Sequence, residues 1–491
     1  MLTNTSELPY SPTSRRTFLS QSGSGIGLSA LSWLLHMDGR LGAEGAAKSL
    51  ESPVAAKSPH HPAKANAVIE IFCPGGMSHV DTFDYKPILE KSHGKSFDSE
   101  LAKQTFAGVG GTFAKSFWKF NKHGQCGKAI SDLFPRLATM VDEIAFLPSM
   151  RNKSALHGPA MFMMNTGYVM PGFPTMGAWV TYGLGSESAN LPAFVVLPDV
   201  RGLPPGGVLN WGSGFLPAIH QGTVFDPTPG RPPIQNLFPS KPMDKSKEAM
   251  AADFLNDLNI AHRETRKADT ILEARMASYE LAARLQLSAP EAVDLSRESK
   301  FTKELYLLSD EDAGTFGIQC LLSRRLVERG VRFVQIFCGS ENTSSKKIRP
   351  NWDSHEDIVR DHGYWGRILD SGCTALLMDL KARGLLETTL VICTTEFGRQ
   401  PFLQGGNRGR DHNPGAFTSW MAGGGIRGGA TYGSTDEVGL IAAESPCYSY
   451  DLHATALHLL GLDHEKLSYY HNGIPRRLTD VHGKVLSEIL A

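Results

Sequence analysis

The chain has 491 residues, 41% of them hydrophobic, which is enough to bury a large core and too apolar for general disorder. Its 49 basic and 50 acidic residues leave a formal charge of -1, so no electrostatic footprint for nucleic acid or an anionic membrane is present. With 50 glycines and 29 prolines, the sequence points to long loops forming a functional rim.

In chain order, Arg15 and Arg16 in the run SRRTFL precede a weakly apolar Gly/Ser-rich stretch at 22–35. Residues 1–37 therefore read as a twin-arginine export signal, with the twin-arginine export machinery as partner and the periplasm or cell exterior as destination. The apolar part is too short for a membrane span, so membrane contact is expected only through an uncleaved signal. Residues 38–66, rich in Ala, Ser, Pro, Lys and His, read as a linker, and the folded domain is expected over 67–491.

The run AVIEIFC at 67–73 is a strand that leads into PGGMSHVDTFD. There Gly75 and Gly76 permit a tight turn, and His79 and Asp81 point to one side of an extended loop. A helix is expected over 129–140, a strand at 143–147, then a loop reaching His157 and a Met-rich helical run that ends at Gly167. A helix end at 179–185 and a strand at 191–197 follow. The Pro/Gly-rich stretch 201–241 reads as an excursion over the site and 244–309 as charged and helical; together, 200–310 form an inserted lid and helical region.

The core resumes with a helix at 320–330, a strand at 331–338, and a loop carrying Asp353 and His355. Leu376, Leu377, Leu380 and Leu385 mark an amphipathic helix that stops near Gly384. A strand at 389–394 runs into Glu396, and a glycine-rich loop then holds Arg410, Asp411 and His412. A strand at 417–422, a helix at 451–460 and a C-terminal cap at 474–490 complete the chain. Helix, glycine, strand repeated in this way predicts an α/β fold with a doubly wound, mostly parallel sheet, whose ligands lie beyond the carboxyl ends of the strands.

Four strand ends thus deliver His79 with Asp81; His157; Asp353 with His355; and Glu396 with Asp411 and His412. Carboxylates and imidazoles are the ligand set of zinc, manganese or iron, and two such ions roughly 4 Å apart are a common device for ester hydrolysis. No HExxH run occurs, so local spacing alone does not establish the site. The seven cysteines include no CxxC pair, which leaves a cysteine zinc cluster unsupported. Cys73, Cys338 and Cys393 lie in apolar strand runs and read as buried thiols, whereas Cys126 and Cys447 lie in polar loops and are able to pair.

The runs PGGMSHVDTFD, SRRLVERGVRFVQIF, NWDSH, LKARGLLETTLVICTTEFGRQP, GRDHNPGAFTSWMAGGGIRGG and YGSTDEVG closely resemble exported proteins grouped as domain of unknown function 1501. That group is placed in the alkaline-phosphatase-like superfamily with sulfatases and phosphodiesterases. The resemblance covers almost the whole chain after the linker and implies an alkaline-phosphatase-like core, bound divalent metals, and hydrolysis or transfer of a phosphate or sulfate ester. A pair of ions, zinc, manganese, iron or calcium, is the expected cofactor, with Asp353, His355, Glu396, Asp411 and His412 as leading ligand candidates and His79 and Asp81 beside them.

The pattern also departs from the superfamily. Sulfatase-like relatives end the strand in Asp-His-Gly, where this chain has Glu396, Phe397 and Gly398; its literal Asp361-His362-Gly363 lies ahead of the helix. Counting back from Thr166 and Gly167 places His157 where relatives carry a nucleophilic Ser, Thr or modified Cys. His157 is then a metal ligand, a phosphohistidine-forming nucleophile or a proton donor, and Ser154 is the nearest hydroxyl. Water activated by the metal needs no protein nucleophile. Arg399 and Arg410 either hold an anionic ester or polysaccharide in bidentate fashion or make structural salt bridges. The leading expectation is an exported metallohydrolase of phosphate or sulfate esters. The alternatives are a non-catalytic binding protein for sulfated or phosphorylated polysaccharide and a cell-envelope interaction protein.

Overall fold

A computed structural model describes residues 55–97, 111–228, 289–341, 348–404 and 407–491, with a few isolated positions between 231 and 285. The chain divides into two compact units, Met1–Leu50 with Gln235–Ser288, and Glu51–Ile234 with Ala289–Ala491. The expected export signal, the first part of the linker and most of the helical insertion lie outside the described residues. No helix among the described residues is long and apolar enough to cross a membrane.

The second unit is built on a seven-stranded sheet. Its strands are β1 (Ala67–Phe72), β2 (Ile144–Met150), β3 (Phe194–Leu197), β4 (Thr223–Val224), β5 (Phe333–Phe337), β6 (Thr389–Thr394) and β7 (Phe417–Ala422), in the spatial order β2-β7-β6-β1-β5-β3-β4. Every pairing from β6 through β4 is parallel, while β7 runs antiparallel to both β6 and β2. One reversed strand places the segment that precedes β7 at the same sheet edge as the segments that follow β1, β2, β5 and β6. This edge carries the site.

Short apolar, β-branched runs make these strands, and both faces are buried, as a central parallel sheet requires. On one face Val68, Phe72, Phe194, Val196, Phe333, Phe337, Leu390 and Ile392 pack in one cluster with residues of helices α2 (His157–Thr166), α3 (Met176–Leu184) and α6 (Ser449–Leu459). On the other lie the helices α4 (Gly314–Val327) and α5 (Ile358–Ala382), which pack on each other. Helix α5 is much longer than the expected apolar stripe. It begins at an Asp357 cap whose carboxylate accepts from the backbone of Val359 and Arg360, and it takes in Asp361 and His362, both fully buried.

Two local expectations are corrected. Residues 129–140 do not form a helix: Lys128–Ser131 is a strand paired with Phe120–His123, and Leu137–Glu143 is a 3-10 turn. Pro135 lacks the N–H that a continuous helix needs and disfavours helical backbone in the residue before it, so the apolar spacing is divided between two elements. Cys126 and Cys447 do not pair, because Cys126 is exposed whereas Cys447 is buried with its sulfur 3.0 Å from that of Met150.

Candidate metal centre

Three central strands, β6, β1 and β5, lie side by side, so the loops leaving their carboxyl ends are forced together. The β1 loop turns at Gly75, whose φ of +107° suits glycine and whose Cβ, if present, would stand 2.5 Å from the Asp353 nitrogen. Its N–H donates to Glu396 Oε1 at 2.8 Å, which ties the β1 and β6 loops. Beyond β5 the loop brings Asp353 and His355, β2 leads to His157 at the start of α2, and the segment ahead of the reversed strand β7 brings His412.

Four atoms meet there. Asp353 Oδ1 lies 2.8 Å from His355 Nε2, 3.2 Å from His412 Nε2 and 3.4 Å from His157 Nε2, and the Nε2 atoms of His355 and His412 are 2.9 Å apart. The opposite nitrogen of each ring is held. His157 Nδ1 is 2.7 Å from Glu396 Oε1, His355 Nδ1 is 2.5 Å from Gln404 Oε1, and His412 Nδ1 is 2.7 Å from the Ala155 carbonyl oxygen. Each of these partners accepts, so all three rings carry a proton on Nδ1 and turn Nε2 inward.

Three lone pairs and a carboxylate oxygen at such separations repel unless a cation or shared protons lie between them. His157 Nε2 is buried and has no hydrogen-bond partner of good geometry, an orphaned donor atom in a polar cluster. The donor set of imidazoles with an outer carboxylate, amide and carbonyl orienting them is that of a transition-metal site, and the residues fit a divalent ion. His157, Asp353 and His412 form one group with ligand atoms within 4.8 Å of each other, and His355, Asp411 and His412 form another. The side chains of His157, Asp353, His355 and His412 keep between 15% and 25% exposure, so water and a ligand can reach them.

Burial pushes His157 down, but the neighbouring Asp353 and Glu396 carboxylates outweigh it and raise the imidazole to about 9, so without an ion His157 Nε2 holds a proton toward Asp353 that a bound cation would displace. Burial raises Asp353, yet the three histidines and the Arg399 guanidinium hold it well below the ordinary carboxylate range. His412 is pushed down, chiefly by burial.

The structure brings together His157, Asp353, His355, Glu396, Arg399, Asp411 and His412. Glu396 does so from behind, fully buried, as the partner of His157, with Thr395 Oγ1 donating to its second oxygen at 3.2 Å. Asp411 stands at the rim, 3.8 Å from His355 Nδ1. His79 and Asp81 are placed elsewhere, in the one-turn helix α1 (His79–Thr82) instead of an extended loop. The His79 ring meets the Gly439 carbonyl at 2.6 Å, and Asp81 forms a fully buried ion pair with Arg410 at 2.8 Å. That pair also takes Arg410 away from any ester. The Ser154 hydroxyl closes a turn on the Leu156 backbone, and its hydrogen bonds stay within that turn.

Gln404 and Ala155 are the participants that the sequence reading missed. An amide and a backbone carbonyl carry no ligand signature, so only the three-dimensional placement of the rings identifies them.

Residues 65–490 match the family model described as a protein of unknown function (DUF1501). Among curated proteins no sequence matches the chain. Similar solved structures include the sulfatase PsFucS1 from Pseudoalteromonas sp., 12% identical with a TM-score of 0.35 over 90% of this chain and 72% of that one. The lipoteichoic acid synthase LtaP from Listeria monocytogenes is 9% identical with a TM-score of 0.34, over 83% of this chain and 76% of its own. A TAB5 alkaline phosphatase mutant with bound Mg is 9% identical with a TM-score of 0.33, over 82% of this chain and 99% of its own.

Proposed function

The chain belongs to this family, and we propose that it acts as an exported, metal-dependent hydrolase of a phosphate or sulfate ester. The observation that carries the reading is the convergence of the Nε2 atoms of His157, His355 and His412 on Asp353 Oδ1, each ring braced from behind. When bound, a divalent ion would supply Lewis acidity toward an ester oxygen and lower the pKa of water. The chain's own residues hold the geometry. Glu396, Gln404 and the Ala155 carbonyl fix the three ring orientations, and Arg399 orients Asp353 through a 2.6 Å contact. Motifs such as NWDSH and TTEFGRQP resemble the domain of unknown function 1501 group, and the placing of that group in the alkaline-phosphatase-like superfamily supports the choice of phosphate or sulfate ester, while Arg15 with Arg16 supports export.

The test is elemental analysis of protein purified without chelator from the exported fraction, beside a His355→Ala, His412→Ala double variant, followed by aryl phosphate and aryl sulfate assays. Bound metal lost in the double variant, turnover of one ester class, and retention in the cytoplasm when Arg15 and Arg16 become lysine are expected. Metal-free wild-type protein with an intact fold would sink the reading. A second reading, a binding protein for sulfated or phosphorylated polysaccharide, is favoured by the Ser154 hydroxyl, which turns to Leu156 and leaves the site without that nucleophile. Retained metal with no turnover, and polysaccharide binding that depends on the metal, would select it.

A further inference from the structure

We propose that the centre holds one divalent ion, not two, and that the guanidinium of Arg399 is its built-in second cation. This deepens the metal-centre reading and rests on it.

The donor arithmetic comes first. Both candidate ligand groups include His412. An imidazole nitrogen has a single lone pair, and the Nδ1 of His412 donates its hydrogen to the Ala155 carbonyl at 2.7 Å. Only Nε2 remains, and one ion claims it. The second group is weakened again at His355, whose Nδ1, the nitrogen 3.8 Å from Asp411, is already taken by Gln404 at 2.5 Å. His355 presents its Nε2 toward Asp353, the same point that His157 and His412 face. The described residues therefore converge on one ion.

Arg399 stands beside that point. Its side chain is fully buried, and its nitrogens are spent on fixed acceptors: Nε donates to the Gly76 carbonyl at 2.9 Å, Nη1 to the Arg410 carbonyl at 2.9 Å, and Nη2 to the Gly75 carbonyl and to Asp353 Oδ1 at 2.6 Å. A guanidinium is charged at any working pH, so this positive charge does not come and go. Nη1 also reaches within 3.5 Å of His355 Nε2. A second divalent ion sharing Asp353 would meet a permanent cation with no room to withdraw, because three backbone carbonyls grip it. Asp353, Glu396 and Asp411 set three carboxylates against one guanidinium at the centre, and one divalent ion brings that balance to neutral, so charge compensation calls for no second ion.

The same geometry settles what Arg399 does not do. With four of its five donors engaged by carbonyls and Asp353 and Nη1 also 3.5 Å from His355 Nε2, it is a positioning residue and leaves no outward fork for a substrate.

The experiment is a calorimetric titration of chelator-treated full-length protein with Mn²⁺, read in parallel by electron paramagnetic resonance. About one equivalent is expected, with the spectrum of an isolated ion. Binding of about two equivalents with an exchange-coupled spectrum would overturn the inference while leaving the metal centre intact. No binding at all would remove the metal centre, and this inference with it. Arg399→Lys, which keeps a charge, should hold Mn²⁺ near wild-type affinity, whereas Arg399→Gln should bind it at least about tenfold more tightly or admit a second equivalent. Equal affinity and stoichiometry in the two variants, both folded by circular dichroism, would also overturn the inference. If Arg399→Gln does not fold, wild-type stoichiometry decides alone.

Discussion

At the scale of the residue, Glu396 is a carboxylate that works through a neighbour. Its Oε1 accepts from both the Gly75 backbone and His157 Nδ1, so it fixes the ring while its own exposure is nil. A carboxylate behind a ligating histidine sets the tautomer and raises the basicity of the inward nitrogen, and loss of such a partner typically costs about 10 to 100-fold in metal affinity. Glu396→Gln keeps an acceptor without the charge and should weaken zinc or manganese binding by about tenfold, and Glu396→Ala by about a hundredfold. Ser154→Ala should leave the affinity within about twofold, because its hydroxyl serves a turn on Leu156. Competition against a chelating dye measures all three. Equal affinity of Glu396→Gln, Glu396→Ala and wild type would reject the assignment. Sequence marked Glu396 as a ligand because a ligand and the partner of a ligand are written with the same letter; which of them it is depends on the ring standing in front.

At the scale of the element, helix α2 rests on a polar seam in the middle of the sheet. Glu70 of β1 is buried and accepts from Gln335 of β5 at 3.0 Å, and the same Gln335 nitrogen donates to Asn165 of α2 at 2.7 Å. Burial raises the Glu70 carboxyl to about 8, against the partial opposing effect of Gln335. The folded chain therefore keeps a proton that the unfolded chain releases above roughly pH 4.5. Stability from this group is fully present below that value and is lost as pH rises to about 8, after which it is flat. Glu70→Gln cannot ionise, so its melting temperature should exceed that of wild type by more at about pH 8.5 than at about pH 5. A pH-independent difference would sink the idea.

The strands around this seam were legible, since AVIEIF, FVQIF and TLVICT are mostly apolar runs between turn signals, broken in the first two only by Glu70 and Gln335, and so was the edge at which the site forms. The reversal of β7 was not: FTSWMA would pack equally well in either direction, and its partner β2 lies far away in sequence. That reversal is why His412 precedes its strand while Asp353, His355 and Glu396 follow theirs. His79 and Asp81 had the right letters after the right strand, yet a one-turn helix turned them toward Gly439 and Arg410. The helical backbone of His79–Thr82 decided it, and no side-chain pattern encodes that.

At the scale of the whole molecule, the centre joins segments that lie far apart in the chain. His157 leaves β2, Asp353 and His355 follow β5, and His412 precedes β7, so an unfolded chain does not hold these donors together. An ion bound by all of them binds the native state alone and stabilises it by mass action, about 2.7 kcal/mol when free metal is a hundredfold above its dissociation constant. Removal of the metal should lower the melting temperature by several degrees, at roughly 2–4 °C per kcal/mol for a chain of a few hundred residues. Restoring zinc or manganese should recover it, and the shift should grow with the logarithm of free metal once the site is saturated. His412→Ala removes the one nitrogen common to both ligand groups, so its melting temperature should be unmoved by chelator or metal. Differential scanning calorimetry across a metal series separates the cases. A chelator shift equal in wild type and His412→Ala would mean that the ion sits elsewhere. No shift in wild type, in protein shown to contain metal, would mean that the ion is held locally and does not tie the strand ends together.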